Sequence, residues 1–245
     1  MNKISVFILI SLIILSGCRK AHNRSKTEVT SKNKTTVIKT IPKDKSEIQD
    51  TLKNSPRQDK IVEGWEKTEI DKANTSYNTE SLNDFEKDVI LYTNLARLNG
   101  RKFCEIYIIP LLKSRPNNLY IKSLIKDLNE TNNLPMLLPN SILIKAAEYH
   151  ATDLGKSGTF EHESTDGTSF SKRMSSFGYN NPAGENLYGG FEDPLGVVVD
   201  LLIDEGIKDV GHRKNILDKD FNAIGVSRKP HTKYDYNVVM DFGQD

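Results

Sequence analysis

Asn237-Val238-Val239-Met240-Asp241-Phe242 carries Val, Met and Phe at four of its six positions and has no turn residue inside it. A short run of β-branched and bulky apolar residues reads as a strand, and one this apolar belongs in the middle of a sheet rather than at its edge. Ala223-Ile224-Gly225-Val226 reads as a second strand close before it. Upstream the apolar residues recur with a helical period. The domain is therefore α+β, with helices first and a sheet late.

The helical part can be followed outward from that sheet. Pro194 opens a helix carrying Val197, Val198, Leu201 and Leu202, and a short helix is predicted from Ser169 to Phe177, stopped by Gly178. The clearest helix starts at Asn140 as a cap. Leu143, Ala146, Ala147, His150 and Leu154 share one face of it, and Gly155 to Gly158 end it. Further back, helices are expected at 119–128 and at 103–112, the latter interrupted at Pro110. Order begins at Ser81, where Ser81 and Asp84 form a cap and Phe85, Val89, Tyr92 and Ala96 follow at helical spacing to Asn99-Gly100. Residues 81–245 are ample for one core.

Before residue 81 the composition changes. The chain of 245 residues is nearly neutral, with 34 Lys plus Arg against 33 Asp plus Glu. Residues 19–60 nevertheless hold 12 basic and 5 acidic residues, a net +7, while residues 61–245 hold 21 and 28, a net −7. The whole-chain balance gives no case for nucleic acid as a partner, and the basic stretch is too polar to offset the entropy of ordering it, about 1–2 kcal/mol per residue. It reads as a disordered tether, a solvated spacer whose charge could also hold it near anionic headgroups or wall polymers. Trp65, the lone Trp, marks a short segment able to dock.

Residues 4–15 are apolar apart from Ser5 and Ser11. That is shorter than the roughly 20 residues that span a bilayer and fits the core of a signal peptide. It closes on Leu15-Ser16-Gly17-Cys18, which resembles the bacterial lipoprotein signal, in which the Cys is lipidated. The resulting organisation is a lipoprotein signal peptide over 1–17, lipidated Cys18 with a basic tether over 18–80, and a folded domain over 81–245. The expected location is the cell membrane or the outer membrane, lipid-anchored and facing away from the cytoplasm. Two cysteines exclude a disulfide scaffold and a Cys-based zinc site, and Cys104 is left as a buried thiol.

Three polar stretches carry the candidate chemistry: Phe160-Glu161-His162-Glu163 with Asp166-Gly167, Gly184-Glu185-Asn186, and Asp204-Glu205 through Gly211-His212-Arg213. Converging His and carboxylate side chains can bind a divalent metal or pair as acid and base. A zinc-protease H-E-x-x-H helix, a G-x-S-x-G elbow and a phosphate-binding glycine loop are all absent from the sequence. His150 reads as a core or supporting histidine, His231 as an exposed loop residue, and Asn186 as a turn-fixing side chain. Arg213 is expected to pair with a carboxylate such as Asp241, and Gly211 and Gly225 to serve backbone conformation or close approach.

These stretches, with Ala147-Glu148-Tyr149-His150-Ala151-Thr152-Asp153-Leu154, Arg173, Gly178-Tyr179, Asn215-Ile216-Leu217, Ile224-Gly225-Val226 and the closing strand, resemble the CAP superfamily. This is the SCP-like domain of cysteine-rich secretory proteins, antigen 5 and pathogenesis-related proteins, here closest to the bacterial branch. Asn94 and Arg97 match its opening helix, extending the resemblance to 81–245. It implies a three-layer α/β/α sandwich with a cleft that gathers two His and two Glu able to hold zinc or another divalent metal. By motif these are His162, Glu185 and His212, with Glu205 as the fourth and Asp204 as its competitor.

Three functions follow as expectations. The first is a cell-envelope lipoprotein whose cleft binds a ligand or cell-wall component, with or without a metal. The second is a hydrolase in which His162 or His212 is the base and Glu185 or Glu205 the orienting group. The third is an adhesin or wall scaffold in which an outer surface does the binding.

Overall fold

The computed structural model describes residues 60–190 and 193–245. The signal run, Cys18 and the basic stretch to residue 59 lie outside them. In chain order the described elements are α1 (Lys67–Ala73), α2 (Asp84–Leu98), α3 (Gly100–Phe103), a π-helical turn (Cys104–Ile108), α4 (Ile109–Ser114) and α5 (Leu119–Glu130). They continue with β1 (Leu138–Pro139), α6 (Ser141–Ser157), α7 (Phe170–Ser176), β2 (Ala183–Gly190), α8 (Pro194–Ile203), α9 (Gly211–Leu217), β3 (Ala223–His231) and β4 (Asp235–Gly243). None of these helices is long and apolar enough to cross a membrane.

The sheet runs in the order β1-β3-β4-β2, with β1 parallel to β3 and the other pairs antiparallel. β4 is paired on both sides, in keeping with its apolar residues Val238, Val239, Met240 and Phe242. Alternation along β3 and β4 sends Ile224, Val226, Val238, Met240 and Phe242 into the larger core with α2 and α8. Ala223 and Val239 point the other way, into smaller clusters with Leu143, Ala146, Ala147 and Leu154 of α6. The result is helix, sheet, helix in three layers.

α6 lies very close to the sheet because glycine lets it. A Cβ on Gly225 of β3 would stand 2.1 Å from the carbonyl carbon of Leu143, and one on Gly155 of α6 would stand 2.2 Å from the carbonyl oxygen of Pro230. Backbone meets backbone at both points. The helix is bounded as its sequence requires, with Asn140 Oδ1 accepting the N–H groups of Ile142 and Leu143, and Gly158 closing it at φ 74°.

Two expectations about the first helices change. The cap of α2 is Asn83 with Glu86, each side chain taking the other residue's N–H, two residues later than the Ser81 reading. Pro110 does not break its helix. It falls in the first turn of α4, where its missing N–H costs nothing, and the chain reaches it through the π turn.

The ordered chain also begins earlier than Ser81. Lys60 pairs with Asp88 of α2, Val62 and Trp65 are buried, and α1 buries Ile70 and Ala73. Trp65 Nε1 donates to the Tyr107 hydroxyl at 3.1 Å, and the Lys102 ammonium lies 5.0 Å over its ring. Composition placed 61–80 with the tether because its few apolar residues are diluted by charge. One large aromatic and two or three aliphatics are enough to dock a short strap on an existing core.

Arg97, fully buried on α2, knits the distant parts together. Its guanidinium donates to the carbonyls of Pro135, Ile216, Asp218 and Phe221 at 2.6–3.0 Å, and burial brings its pKa down to about 10. Asn94, one turn earlier, donates to the carbonyls of Ala73 and Leu137 and accepts the Leu137 N–H. Both side chains satisfy irregular backbone that would otherwise be buried without partners.

Candidate functional site

Each of the two candidate histidines is held by a buried carboxylate. His162 sits in the loop after α6, and Asp153 secures that loop by taking both the N–H and the hydroxyl of Thr165, at 2.8 and 2.5 Å. Its Nδ1 lies 2.8 Å from Glu185 Oε1 on β2, and its side chain is 56% exposed against 1% for the glutamate. A carboxylate can only accept, so Nδ1 carries a proton directed at Glu185.

His212 opens α9 and repeats the arrangement. Its Nδ1 is 2.7 Å from Asp204 Oδ1, while Asp204 Oδ2 accepts the His212 N–H at 2.9 Å. Asp204 ends α8 in the left-handed conformation, φ 55°, which turns its side chain back onto the start of α9. The carboxylate therefore holds both the imidazole and the free N–H at the helix start. Asp204 is 1% exposed and the His212 side chain 23%.

The two pairs are linked through β2 and α9. Asn186, next to Glu185, donates to the carbonyl of His212 at 3.0 Å, and Asn215 donates to Asn186 Oδ1 and to the Glu185 carbonyl at 2.8 and 3.3 Å. Gly184 leaves room for Asn215, whose Oδ1 would stand 2.8 Å from a Cβ there. Asn186 is thus a strand-to-helix tie rather than a turn residue, and the Gly-Glu-Asn run is a strand because its other edge is paired to β4.

Behind His162 lies a buried charge cluster. Arg173 of α7, 1% exposed, donates to Glu185 Oε2 at 2.5 Å, to the His162 carbonyl at 3.1 Å and to Ser164 Oγ at 3.0 Å. It clamps the loop that carries His162 to the strand that carries Glu185. His150 lies on the inner face of α6 with Nε2 3.0 Å from the Glu161 carbonyl and 3.8 Å from Glu185 Oε1. Burial holds its pKa below the usual histidine range, Glu185 opposing.

Asp241 of β4 stands opposite Glu185 in the register of the sheet and is fully buried. Neither of its oxygens meets an N–H or a protein hydroxyl among the described residues. Burial raises its pKa well above the usual carboxylate range, and the charge of Glu185 adds to that. Both effects favour the protonated form of this carboxyl.

Several expectations are corrected by this geometry. Glu205 is not the partner of His212: it takes Arg115 and Asn118 at 3.1 and 2.9 Å, and Asp204 holds His212 in its place. One residue decides this, because only Asp204 occupies the left-handed end of α8. Arg213 does not reach Asp241. It binds Asp127 at 2.8 Å and the carbonyls of Leu202, Ile203 and Tyr120, tying α9 to α5 and α8. His231 is 5% exposed, with Nε2 2.9 Å from the Thr159 carbonyl, because β3 continues through Pro230 instead of ending near Val226.

The four-ligand metal set that the resemblance implied does not fit these side chains. Both Glu185 oxygens are committed, to His162 and to Arg173, both Asp204 oxygens serve His212, and Glu205 is elsewhere. No three His, Cys, Asp or Glu side chains gather as a metal site among the described residues. The carboxylates instead occupy the position behind each imidazole, where they fix ring and tautomer. Cys104 is buried, and burial lifts its thiol to about 11, which removes it as a nucleophile.

Comparison with known proteins agrees with the fold. The model of the cysteine-rich secretory protein family, CAP, matches residues 92–242. Similar solved structures include an extracellular SCP-domain protein of Bacillus anthracis, 21% identical over 64% of this chain and 40% of its own, TM-score 0.42. An outer surface protein of Borrelia burgdorferi is 25% identical over 57% of this chain and 93% of its own, TM-score 0.39. A cysteine-rich secretory protein of Staphylococcus aureus is 19% identical over 53% and 39%, TM-score 0.34. The chain thus spans about 40% of the length of the Bacillus protein. No curated protein matches it.

Proposed function

The chain belongs to the cysteine-rich secretory protein family, and from that premise we propose that it is a cell-envelope binding protein whose cleft takes a neutral polar ligand through His162 and His212. The observation that carries this reading is the repeated pair, a buried carboxylate behind an open imidazole, at His162–Glu185 and His212–Asp204. In its neutral form each ring, held by its Nδ1 contact, presents Nε2 as an acceptor for a ligand hydroxyl or amide N–H. Saccharides and peptides of the cell wall are rich in such donors.

The same pairs suit a second reading. An imidazole with its Nδ1 proton held by a carboxylate is the arrangement of a general base, and His162 or His212 could take a proton from water attacking an ester or amide. Cys104, buried and with its thiol pKa raised, would not be its nucleophile. No step requires a metal, since the carboxylates a metal would need are engaged.

The envelope location rests on the sequence of residues 4–18, with Cys18 as the lipid attachment point. Lipid chains contribute about 0.8 kcal/mol per buried methylene, so two chains hold a protein on a membrane. A Cys18→Ser variant would then leave the membrane fraction, and continued membrane association would refute the anchor.

The cleft is tested by following the ring nitrogens of His162 and His212 by NMR while titrating wall glycan fragments and stem peptides. Ligand binding should shift Nε2 of both rings and be abolished in a His162→Ala/His212→Ala variant. Binding that is equal in wild type and variant would sink the cleft reading, and turnover lost on Glu185→Gln would favour the hydrolase. A parallel zinc titration with micromolar binding through these histidines would overturn the metal-free assignment.

A further inference from the structure

We propose that Val210 is a positioning residue for His212, and that the strain in its backbone makes the His212–Asp204 pair the adjustable half of the cleft. The inference deepens the cleft reading and rests on it for the use made of His212. Its test needs no ligand, so either can fail alone.

α9 begins unlike its neighbours. Before α2, α7 and α8 the chain is extended and the capping residue bonds through its own side chain: Asn83 at φ −76° and ψ 173°, Ser169 at −67° and 156°, Asp193 at −72° and 170°. Val210 stands before α9 at φ 48° and ψ 47°, left-handed and with no side-chain bond to the helix. Glycine takes that conformation freely and Asn or Asp tolerates it. In a β-branched residue it is an outlier, because Cβ crowds the following carbonyl. Valine is also among the poorest N-caps. Two local preferences are broken at one residue, two positions before a cleft histidine.

The surrounding backbone holds Val210 there. Its N–H donates to the Ile207 carbonyl at 3.1 Å, its carbonyl accepts the Lys214 N–H at 3.0 Å, and the Ile207 N–H donates to the Asp204 carbonyl at 3.2 Å. Consecutive turns thus carry the chain from Asp204 to Val210, and the left-handed step sends it into α9. That step lets Asp204 cap the helix in place of residue 210. Asp204 Oδ2 takes the N–H groups of His212 and Arg213 at 2.9 and 3.4 Å, while Oδ1 meets the His212 ring at 2.7 Å. An extended Val210 would turn the start of α9 off that carboxylate. Strain of this kind persists where the surroundings over-determine it, and it collects at ligand sites and switch regions.

The first pair is held differently. Arg173, 1% exposed, binds both Glu185 and the His162 carbonyl. From 153 to 190 no residue other than glycine is left-handed. His162 is therefore fixed by an unstrained clamp, and His212 is held against a backbone that would relax if released. A ligand touching both rings would meet one imidazole that stays and one that gives.

The test is a series at residue 210 in the ¹⁵N-labelled full chain. Val210→Gly and Val210→Asn accept the left-handed conformation, Asn controlling for the chain freedom that Gly adds, while Val210→Ile keeps the strain. Each retains the N–H and carbonyl bonds of residue 210, so folding is preserved. Gly and Asn should raise the urea midpoint, and Ile should not. The same two variants should slow solvent exchange of the His212 N–H and of its ring Nδ1 proton about five- to thirtyfold. The ring proton of His162 should exchange as in the wild type.

Strain without a positioning role would raise the midpoint and leave the His212 ring proton unchanged. That result would overturn the proposal, as would midpoints unaltered by Gly and Asn, a Val210→Ile variant behaving like them, or equal slowing at His162.

Discussion

Glu185 and Asp241 are cross-strand neighbours on β2 and β4, and burial, with the charge of the first beside it, raises the pKa of the second well above the usual carboxylate range. The pH consequence has a definite sign. Asp241 would lose its proton near its ordinary value of 3.8 when unfolded but holds it to higher pH when folded. Its contribution is complete below 3.8 and declines as pH rises through the native value, because unfolding then releases a proton. Asp241→Asn keeps the size of the side chain and has nothing to titrate. Urea midpoints measured from pH 4 to 9 should fall less steeply with rising pH in that variant; equal slopes would contradict a protonated Asp241.

His150 acts on the other limb. Its native pKa is below 6.5, so its contribution is present above 6.5 and is lost as pH falls through the native value, where the folded chain must accept a charge under α6. His150→Gln should reduce the loss of stability between pH 6.5 and 5, read from the same urea midpoints.

Arg173→Met should cost about 3–5 kcal/mol, because it leaves the Glu185 carboxylate buried without its cation. Arg173→Met/Glu185→Met should recover much of that, since both charges are then gone. Chemical denaturation of the two singles and the double gives the coupling. Additive losses would show that the pair at 2.5 Å carries no coupling of its own.

Asp204→Ala should release the His212 ring so that Nδ1 no longer holds the proton as the dominant form, visible in long-range ¹H–¹⁵N spectra. Glu205→Gln should leave those spectra unchanged. The opposite pattern would restore Glu205 to the cleft.

Trp65→Ala should destabilise the protein by about 3 kcal/mol, at the low end for a buried aromatic because the strap can detach locally. As Trp65 is the sole Trp, its fluorescence reports docking directly. A wild-type emission maximum already at the solvent-exposed wavelength would contradict the docked strap.

Sequence reading reached the parts of the fold where local signals agree with tertiary packing. Asn140 and Gly158 bound α6, the run 237–242 lies in mid-sheet, and Gly225 is where α6 touches β3. It missed β2 as a strand, because Ala183–Gly190 is glycine-rich and polar, and only pairing with β4 makes it extended. It singled out His162, Glu185 and His212 as candidates from motif, and the structure pairs the first two. It could not choose between Asp204 and Glu205, since the decision rests on a left-handed residue with no sequence mark of its own. Arg173 stood in the motif without a role, because its three partners come from three separate segments. Trp65 was the one usable signal for the strap, a costly aromatic in a stretch otherwise without reason to hold one.

The strap at 60–73 also determines how the domain would respond to tension arriving at Lys60. Force there would peel contacts one after another, first the ion pair to Asp88, then Val62 and Trp65, then α1 from α2. The sheet and the histidine pairs would bear no strain until that sequence was complete. Pulling on Lys60 in a single-molecule experiment should therefore give a small early extension of about 14 residues, at most ~50 Å of chain, before the main rupture. A domain held at a surface under shear would spend that length first and keep its cleft intact.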